Sequence, residues 1–418
     1  VIIIKKFLYL LFYKIILEFI YVNTHSKLFA YAGYVCNYNI LRYLLAFLMF
    51  VICALIMPKK ENKISNIFNL IIFMLSIVPM LILFAFGNYY YWIILSCVAC
   101  FILQSIIIRL NISFTKIKGI NYTNDLLRKG VFLFTILLIG VFFVQYGLPN
   151  FKNMGFYNIS ETRATFSYKS VGFNLLIGLF CRILNPIMIA ISFKEHKKFN
   201  VAILILIQVY IYSITGFKTY LFIPAVVLVI QYIKSERFFS NIALGLTSCV
   251  GLAYLAFLFL KDNMIIGLIH NRVIFFPALI KYAYFDFFSN NEYIFFSQNS
   301  LSKIFGIQSS YTESVPNIIA KIYFDKPSMY ANTGYIADGF ANLGIFGMFI
   351  MTIILAIILN YVDSISSKEK MPYLIALFIP YAISLNDGAL IMTLFSGGML
   401  LVIFIFMVID FTPRKKFK

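Results

Sequence analysis

Acidic residues are scarce in this chain: Asp and Glu number 16 against 35 Lys and Arg, and all four make up only 12% of its 418 residues. That is about half the charged share of a soluble domain. Hydrophobic residues reach 62%, so a water-facing surface cannot be built from this mixture and an integral membrane protein is expected. The three histidines are scattered, so no metal is expected, and neither is any other cofactor. Of six cysteines, Cys53, Cys97, Cys100, Cys181 and Cys249 fall inside apolar runs and only Cys36 lies outside one, which excludes a disulfide framework. Cys97 and Cys100 have redox or metal spacing, but within an apolar helix they read as packing residues. A Walker-type phosphate loop, a His-Glu-x-x-His pair and an Asp-x-Asp are all missing, which removes support for ATP, zinc and nucleotide-sugar chemistry. The net charge of +19 is dispersed among short loops rather than gathered on one face, so no nucleic-acid partner is expected.

What is present is a succession of apolar runs. Twelve approach spanning length, at about 7–22, 39–57, 66–86, 90–110, 131–147, 172–193, 200–215, 219–234, 240–260, 335–361, 372–385 and 389–410. A membrane helix needs roughly 20 residues. The fold expected is an all-α polytopic membrane protein of about 12 transmembrane helices, a single integral domain over 1–418. One large loop, 261–334, separates helices nine and ten.

Orientation follows from the basic residues, which resist translocation. They crowd into the loops of one side, as at Lys59, Lys60 and Lys63 or Lys194, Lys197 and Lys198. The short loops of the other side hold only Lys27, Arg42, Lys152, Arg163, Lys169 and Lys218. Both termini are therefore expected in the cytoplasm and the 261–334 loop outside. The basic start resembles a signal peptide but reads as the first span.

Each basic residue kept on the outer side invites a reason. Arg163 lies in Ser160-Glu-Thr-Arg-Ala-Thr-Phe166; its planar fork suits phosphate, as in a lipid-linked diphosphate, or a pairing with Glu161. Lys218 sits in the short turn Ser213-Ile-Thr-Gly-Phe-Lys-Thr219, either at the depth of a lipid diphosphate or as a snorkelling side chain. The long loop opens with His270-Asn-Arg272. It continues into an aromatic run, Tyr282-Ala-Tyr-Phe-Asp-Phe-Phe288, expected on a helix lying in the interface or packed back onto the bundle. His270 is a candidate general base or a local hydrogen-bonding group. Asp338 and Asn342, four apart, share a helix face. A carboxylate there needs a cavity or a partner. Ala337, Ala341 and Gly344 form an adjoining face suited to close packing. Arg182 reads as a tie to carbonyls freed near Pro186, and Lys14 with Glu18 as an i,i+4 pair.

With these residues in place the chain resembles the oligosaccharide repeat-unit polymerases, the Wzy-type O-antigen or capsule polymerases of bacteria. The resemblance covers nearly the whole length. It rests on the many-span layout, Thr215-Gly-Phe-Lys-Thr219, Arg272-Val-Ile-Phe-Phe-Pro with Tyr284-Phe-Asp-Phe-Phe288, and Asn332-Thr-Gly-Tyr-Ile-Ala-Asp-Gly-Phe-Ala-Asn-Leu-Gly344. It implies a glycosyltransferase of the bacterial inner membrane. Such an enzyme moves a growing glycan from undecaprenyl diphosphate onto a new lipid-linked repeat unit, in O-antigen (lipopolysaccharide) or capsule synthesis, alongside chain-length regulator and flippase proteins. Under it Arg163, Arg272 and Lys218 recognise the diphosphate, and Asp338 or His270 activates the acceptor hydroxyl. Asn332, Tyr335 and Asn342 of the last motif contact substrate, while Tyr282 and Tyr284 offer sugar-stacking surfaces. An O-antigen ligase and a lipid-linked oligosaccharide flippase are the alternatives.

Overall fold

The computed structural model describes residues 2–115, 120–121, 125–149, 166, 170–233, 235–299, 302 and 306–410. In chain order its main helices are α1 Ile4–Leu28, α2 Ile40–Ile56, α3 Ile64–Phe86, α4 Tyr91–Leu110, α5 Leu126–Tyr146, α6 Gly172–Lys194, α7 Lys198–Thr215 and α8 Lys218–Tyr232. They continue with α9 Phe238–Leu260, α10 Asn263–Asn290, α11 Val315–Phe324, α12 Tyr335–Ile365, α13 Met371–Asp387, α14 Leu390–Leu394 and α15 Met399–Val408. The remaining regular pairing is a two-residue parallel bridge, Ile120–Asn121 with Ile409–Asp410.

Nine helices among the described residues are long and apolar enough to cross a membrane, against the twelve expected. Helices α2, α8 and α15 are shorter. The run expected at 389–410 is divided into α14 and α15 at Gly398, whose φ of 85° is left-handed. The main departure is α10, formed by residues expected at the start of a polar loop. Its polar residues His270 and Lys281 are buried, with hydrogen-bond partners inside the protein.

The chain forms two compact units, the first from Val1–Ser113, Glu236–Asp363 and Tyr381–Thr393. At its centre is α3, buried along its entire length and predominantly apolar, as a helix with no water-facing side is expected to be; its few polar residues, Ser65, Asn66, Asn69 and Ser76, are buried too. Packed against α3 are α2, α4, α9 and α10. Pro79 lacks an amide hydrogen, and the turn before it, Phe73–Ile77, widens into a π-helix, a usual local answer to an interrupted ladder. The Tyr13 hydroxyl donates to the Met74 carbonyl within that turn at 2.9 Å.

A buried polar chain crosses three helices of this unit. Tyr335 of α12 donates to Gln104 of α4 at 2.6 Å, Gln104 to Asn69 of α3 at 3.0 Å, and Asn69 to Ser105 at 2.9 Å. One end of the unit is basic. There Lys6 pairs with Glu61 at 2.7 Å, Glu61 accepts from Ser240 at 2.8 Å, Lys63 bonds Asn111, and Asp363 accepts from Ser65. In α1, Lys14 bonds Glu18 as the i,i+4 spacing suggests.

The second unit comprises Phe114–Ser235, Ser364–Pro380 and Leu394–Lys418. Its core gathers Leu138 and Phe142 of α5, Ile177 and Phe180 of α6, Ile211 of α7 and Tyr220 of α8. In α6 the turn Phe180–Leu184 is again π-helical ahead of a proline, Pro186. The Cys181 carbonyl in that turn accepts from Gln208 of α7 at 2.7 Å, so a glutamine holds the position expected of Arg182. Asn185 bonds the Leu204 carbonyl at 3.0 Å and the Gln208 side chain.

Candidate functional site

Although α10 is long and apolar enough to span, its contacts put it across one end of the first unit. Gly267 faces Phe29, and Asn271 accepts from Tyr34 at 2.8 Å. Phe275 makes tilted ring contacts with Tyr21 and His25, Tyr282 stacks on Tyr89 with ring centroids 3.9 Å apart, and Phe285 meets Trp92 and Phe340. Those partners are the last turns of α1, the α3–α4 connection and the first turns of α4 and α12. Helix α10 therefore covers the end opposite the basic one, and its aromatic run does pack back onto the bundle.

The motif Asn332 to Gly344 forms the start of α12 and then breaks it. Leu343 (φ −141°, ψ 23°) and Gly344 (φ 62°, ψ −148°) leave helical geometry. A side chain at 344 would meet the Tyr293 hydroxyl at 2.8 Å, so glycine is required twice over, by conformation and by space. The break frees carbonyls that a membrane protein must satisfy internally. Ala341 O accepts from Ile294 N at 2.9 Å, and Asn342 O accepts from Phe295 N at 3.3 Å. The Asn342 side chain accepts from Phe296 N at 2.7 Å and donates to the Asp338 carbonyl at 2.7 Å. Phe295 and Phe296 both have positive φ, 45° and 61°, a conformation costly for bulky residues. Asn342 is thus the clamp of a strained loop.

Among the described residues of the 291–334 segment, polar side chains tie the backbone together. Gln298 accepts from Val315 N at 2.8 Å and donates to Glu313 O at 3.0 Å. Tyr311 donates to Glu292 O at 2.5 Å, and Tyr323 to Asp286 at 2.6 Å. Burial and that bond to a carboxylate raise the Tyr323 pKa above the ordinary tyrosine range.

Beneath this segment lies a cluster of ionisable groups. Lys281 of α10 is 2% exposed and donates to Asn386 Oδ1 at 2.6 Å; Asn386, at the end of α13, donates to Val273 O at 3.1 Å. Gly334 fits between them: a Cβ there would lie 2.6 Å from Asn386 O and 2.9 Å from Lys281 Cε. Half-buried Asp387 feels the positive charges of both Arg272 and Lys281. Arg272 is exposed. One turn into α12, Asp338 Oδ2 is buried without a hydrogen-bond partner. Its carboxylate interacts with Tyr284, one turn from Lys281 on α10, whose hydroxyl donates to Ala331 O at 3.0 Å. Chemically the cluster offers exposed cationic charge at Arg272 and one buried carboxylate oxygen of Asp338 without a hydrogen-bond partner, with α10 and α13 held close together at Gly334.

The residues expected to carry chemistry divide sharply. Arg272, Asp338 and Asn332 come to this end of the first unit, with Asn332 exposed. His270 is fully buried, its Nε2 3.0 Å from Val250 O and its ring near enough to buried His25 for the two to interact; that enclosure withdraws it as general base. Tyr282 and Tyr284 are 2% and 3% exposed and bond Met80 O and Ala331 O, so their faces are not open to sugars. Tyr335 belongs to the polar chain with Gln104, and Asn342 to the clamp, which makes both internal positioning groups. Lys218 is the first residue of α8 in the second unit, following Gly216, whose φ of 66° turns the chain between α7 and α8. Arg163 lies outside the described residues. Lys281, Asn386 and Asp387 had no place in the expected site. The signal for Lys281 was available: a lysine following eight apolar residues, Val273 to Ile280, and leading into the aromatic run.

These features define an all-helical chain with the apolar helices of a multi-pass membrane protein. No protein-family model, curated protein or solved structure matches it.

Proposed function

We propose that this protein is a membrane glycosyltransferase that polymerises oligosaccharide repeat units carried on a polyprenyl diphosphate, working on the face opposite the basic end. The observation that carries this reading is the cluster at the junction of α10, α12 and α13. Exposed Arg272, with Asp387 and Lys281 behind it, lies at the same end as a carboxylate oxygen of Asp338 that has no partner. In the reaction an acceptor hydroxyl oxygen attacks the anomeric carbon of the donor glycan. The bond from that carbon to the diphosphate oxygen breaks with its electron pair moving onto the diphosphate, and the hydroxyl proton passes to Asp338. Arg272 stabilises the charge that develops on the departing diphosphate, a contribution typically of about 10²–10³ in rate for a preorganised donor. Lys281 and Asn386 position the α10–α13 junction rather than touch substrate.

The test is purified protein reconstituted with a lipid-diphosphate-linked repeat unit, read as a glycan ladder on a gel. Wild type is expected to lengthen the glycan without ATP, and Arg272→Ala and Asp338→Asn to lose the ladder at unchanged membrane levels. Transfer only to a lipid A core acceptor identifies a ligase instead. Translocation without lengthening, or full ladders from both variants, refutes the proposal.

A further inference from the structure

The second unit contains a cleft that takes no part in the chemistry above. It is about 340 Å³ in volume and opens between α5, α6, the start of α7 and α15. Its walls are apolar, formed by Val131, Ile187, Ile191 and Ile405, and its lining also includes Arg128 and Lys197. Both cations are gathered by one carboxylate. Arg128 Nη2 lies 2.6 and 2.7 Å from the two oxygens of Glu195, and Lys197 Nζ lies 2.8 Å from Oε2. Two positive charges against one negative leave the group cationic. The side chains of Arg128 and Lys197 remain 40% and 49% exposed while Glu195 is only 21% exposed, so the positive charge faces outward. Lys129, Lys194 and Lys198 adjoin these positions in the sequence, although Lys194 also interacts with Glu369.

An apolar trough with cations at its rim is complementary to an amphiphile with a negative head. A soluble phosphate has no use for the apolar walls, and a zwitterionic lipid gains little from the net charge. We propose that this cleft binds an anionic phospholipid, its acyl chain along Val131, Ile187, Ile191 and Ile405 and its phosphodiester against Arg128 and Lys197. Basic pockets between membrane helices hold acidic headgroups on the same principle. Glu195 is then a positioning residue, holding two flexible cations at one point on the rim. The site is independent of the glycan-transfer reading and survives its failure.

The experiment is native mass spectrometry of the full chain, extracted in a neutral detergent and titrated with phosphatidylglycerol or phosphatidylcholine of matched acyl chains. Phosphatidylglycerol is expected to be retained preferentially. Lys197→Gln should weaken its binding about fivefold, the effect of one cation near a lipid headgroup, with phosphatidylcholine binding unchanged. Lys321→Gln, at an exposed position on α11, should leave the preference intact. Arg128→Gln is the second variant; because it leaves Glu195 with one partner, folding is checked by thermal unfolding, and Lys197→Gln decides if it fails. Equal retention of the two lipids by wild type overturns the proposal. So does an unchanged preference in Lys197→Gln, or an equal loss in Lys321→Gln, which would make the attraction diffuse. Displacement of the lipid by inorganic phosphate at millimolar concentration also overturns it, because the acyl chain would then contribute nothing.

Discussion

Replacing Gly344 by alanine tests the break in α12 directly. At φ 62° and ψ −148° the backbone occupies a region open essentially to glycine, where another residue is strained by about 1–3 kcal/mol. The added methyl would also meet Tyr293 Oη at 2.8 Å and Cζ at 3.0 Å, and forced overpacking of this kind costs about 1–3 kcal/mol more. Part of this is relieved if the tyrosine swings away, so Gly344→Ala is expected to destabilise by about 2–4 kcal/mol. Denaturant unfolding of the detergent-solubilised protein measures it. Repeating the substitution in a Tyr293→Ala background separates the two causes, since removing the ring relieves the steric part and leaves the backbone part. Should Gly344→Ala cost less than about 0.5 kcal/mol, the range of an ordinary surface change, the break does not need glycine and the account of the clamp around it is wrong.

Lys281 and Asn386 share a buried charge-assisted hydrogen bond, worth about 1.5–3 kcal/mol. A double-mutant cycle with Lys281→Met and Asn386→Leu is expected to show coupling of that size, and additivity within about 0.3 kcal/mol would contradict the geometry. At Glu195, burial works against the carboxylate, yet hydrogen bonds from Lys197 and Arg128 outweigh it and hold its pKa below the ordinary glutamate range. The resulting stability is present above the unfolded-state value, about 4.3, and disappears as pH falls through the lower folded-state value. With Arg128 40% exposed, the Arg128–Glu195 coupling is expected to be no more than about 1 kcal/mol at pH 7. A cycle run at several pH values should find it constant down to about pH 5; loss above that point refutes the assignment.

Much of the helical layout was legible because apolar runs near spanning length leave few alternatives, and α1, α3, α4, α6 and α9 stand close to where the hydropathy put them. Asp338 and Arg272 stand out in the sequence for the complementary reason that charge beside apolar sequence is conspicuous, and the structure puts both at the same end of the first unit. The character of α10 was harder to read. Lys281 and His270 interrupt it often enough to suggest a loop, and only the structure reveals that both point inward to partners on other helices. Ala337, Ala341 and Gly344 were read as one helix face suited to close packing; Ala337 and Ala341 are buried, but the helix breaks at Leu343 and Gly344, and that break depends on Tyr293 and the 294–296 amides. No local pattern encodes those. The same holds for the widened turns before Pro79 and Pro186, where proline was visible and the residues serving the nearby carbonyls, Tyr13 and Gln208, were not.

The polar chain from Tyr335 through Gln104 and Asn69 to Ser105 has a mechanical consequence. In hydrocarbon, helices with apolar faces can slide along one another at little cost, since lipid tails solvate them about as well as a neighbouring helix does. A hydrogen-bonded pin across α3, α4 and α12 removes that freedom: a slip of one turn, about 5.4 Å, leaves buried amides and a hydroxyl unpaired. Tyr335 lies one turn before Asp338, so the pin sets the depth at which that carboxylate stands. The height of the candidate site is fixed from inside the bundle, by residues that never meet a ligand.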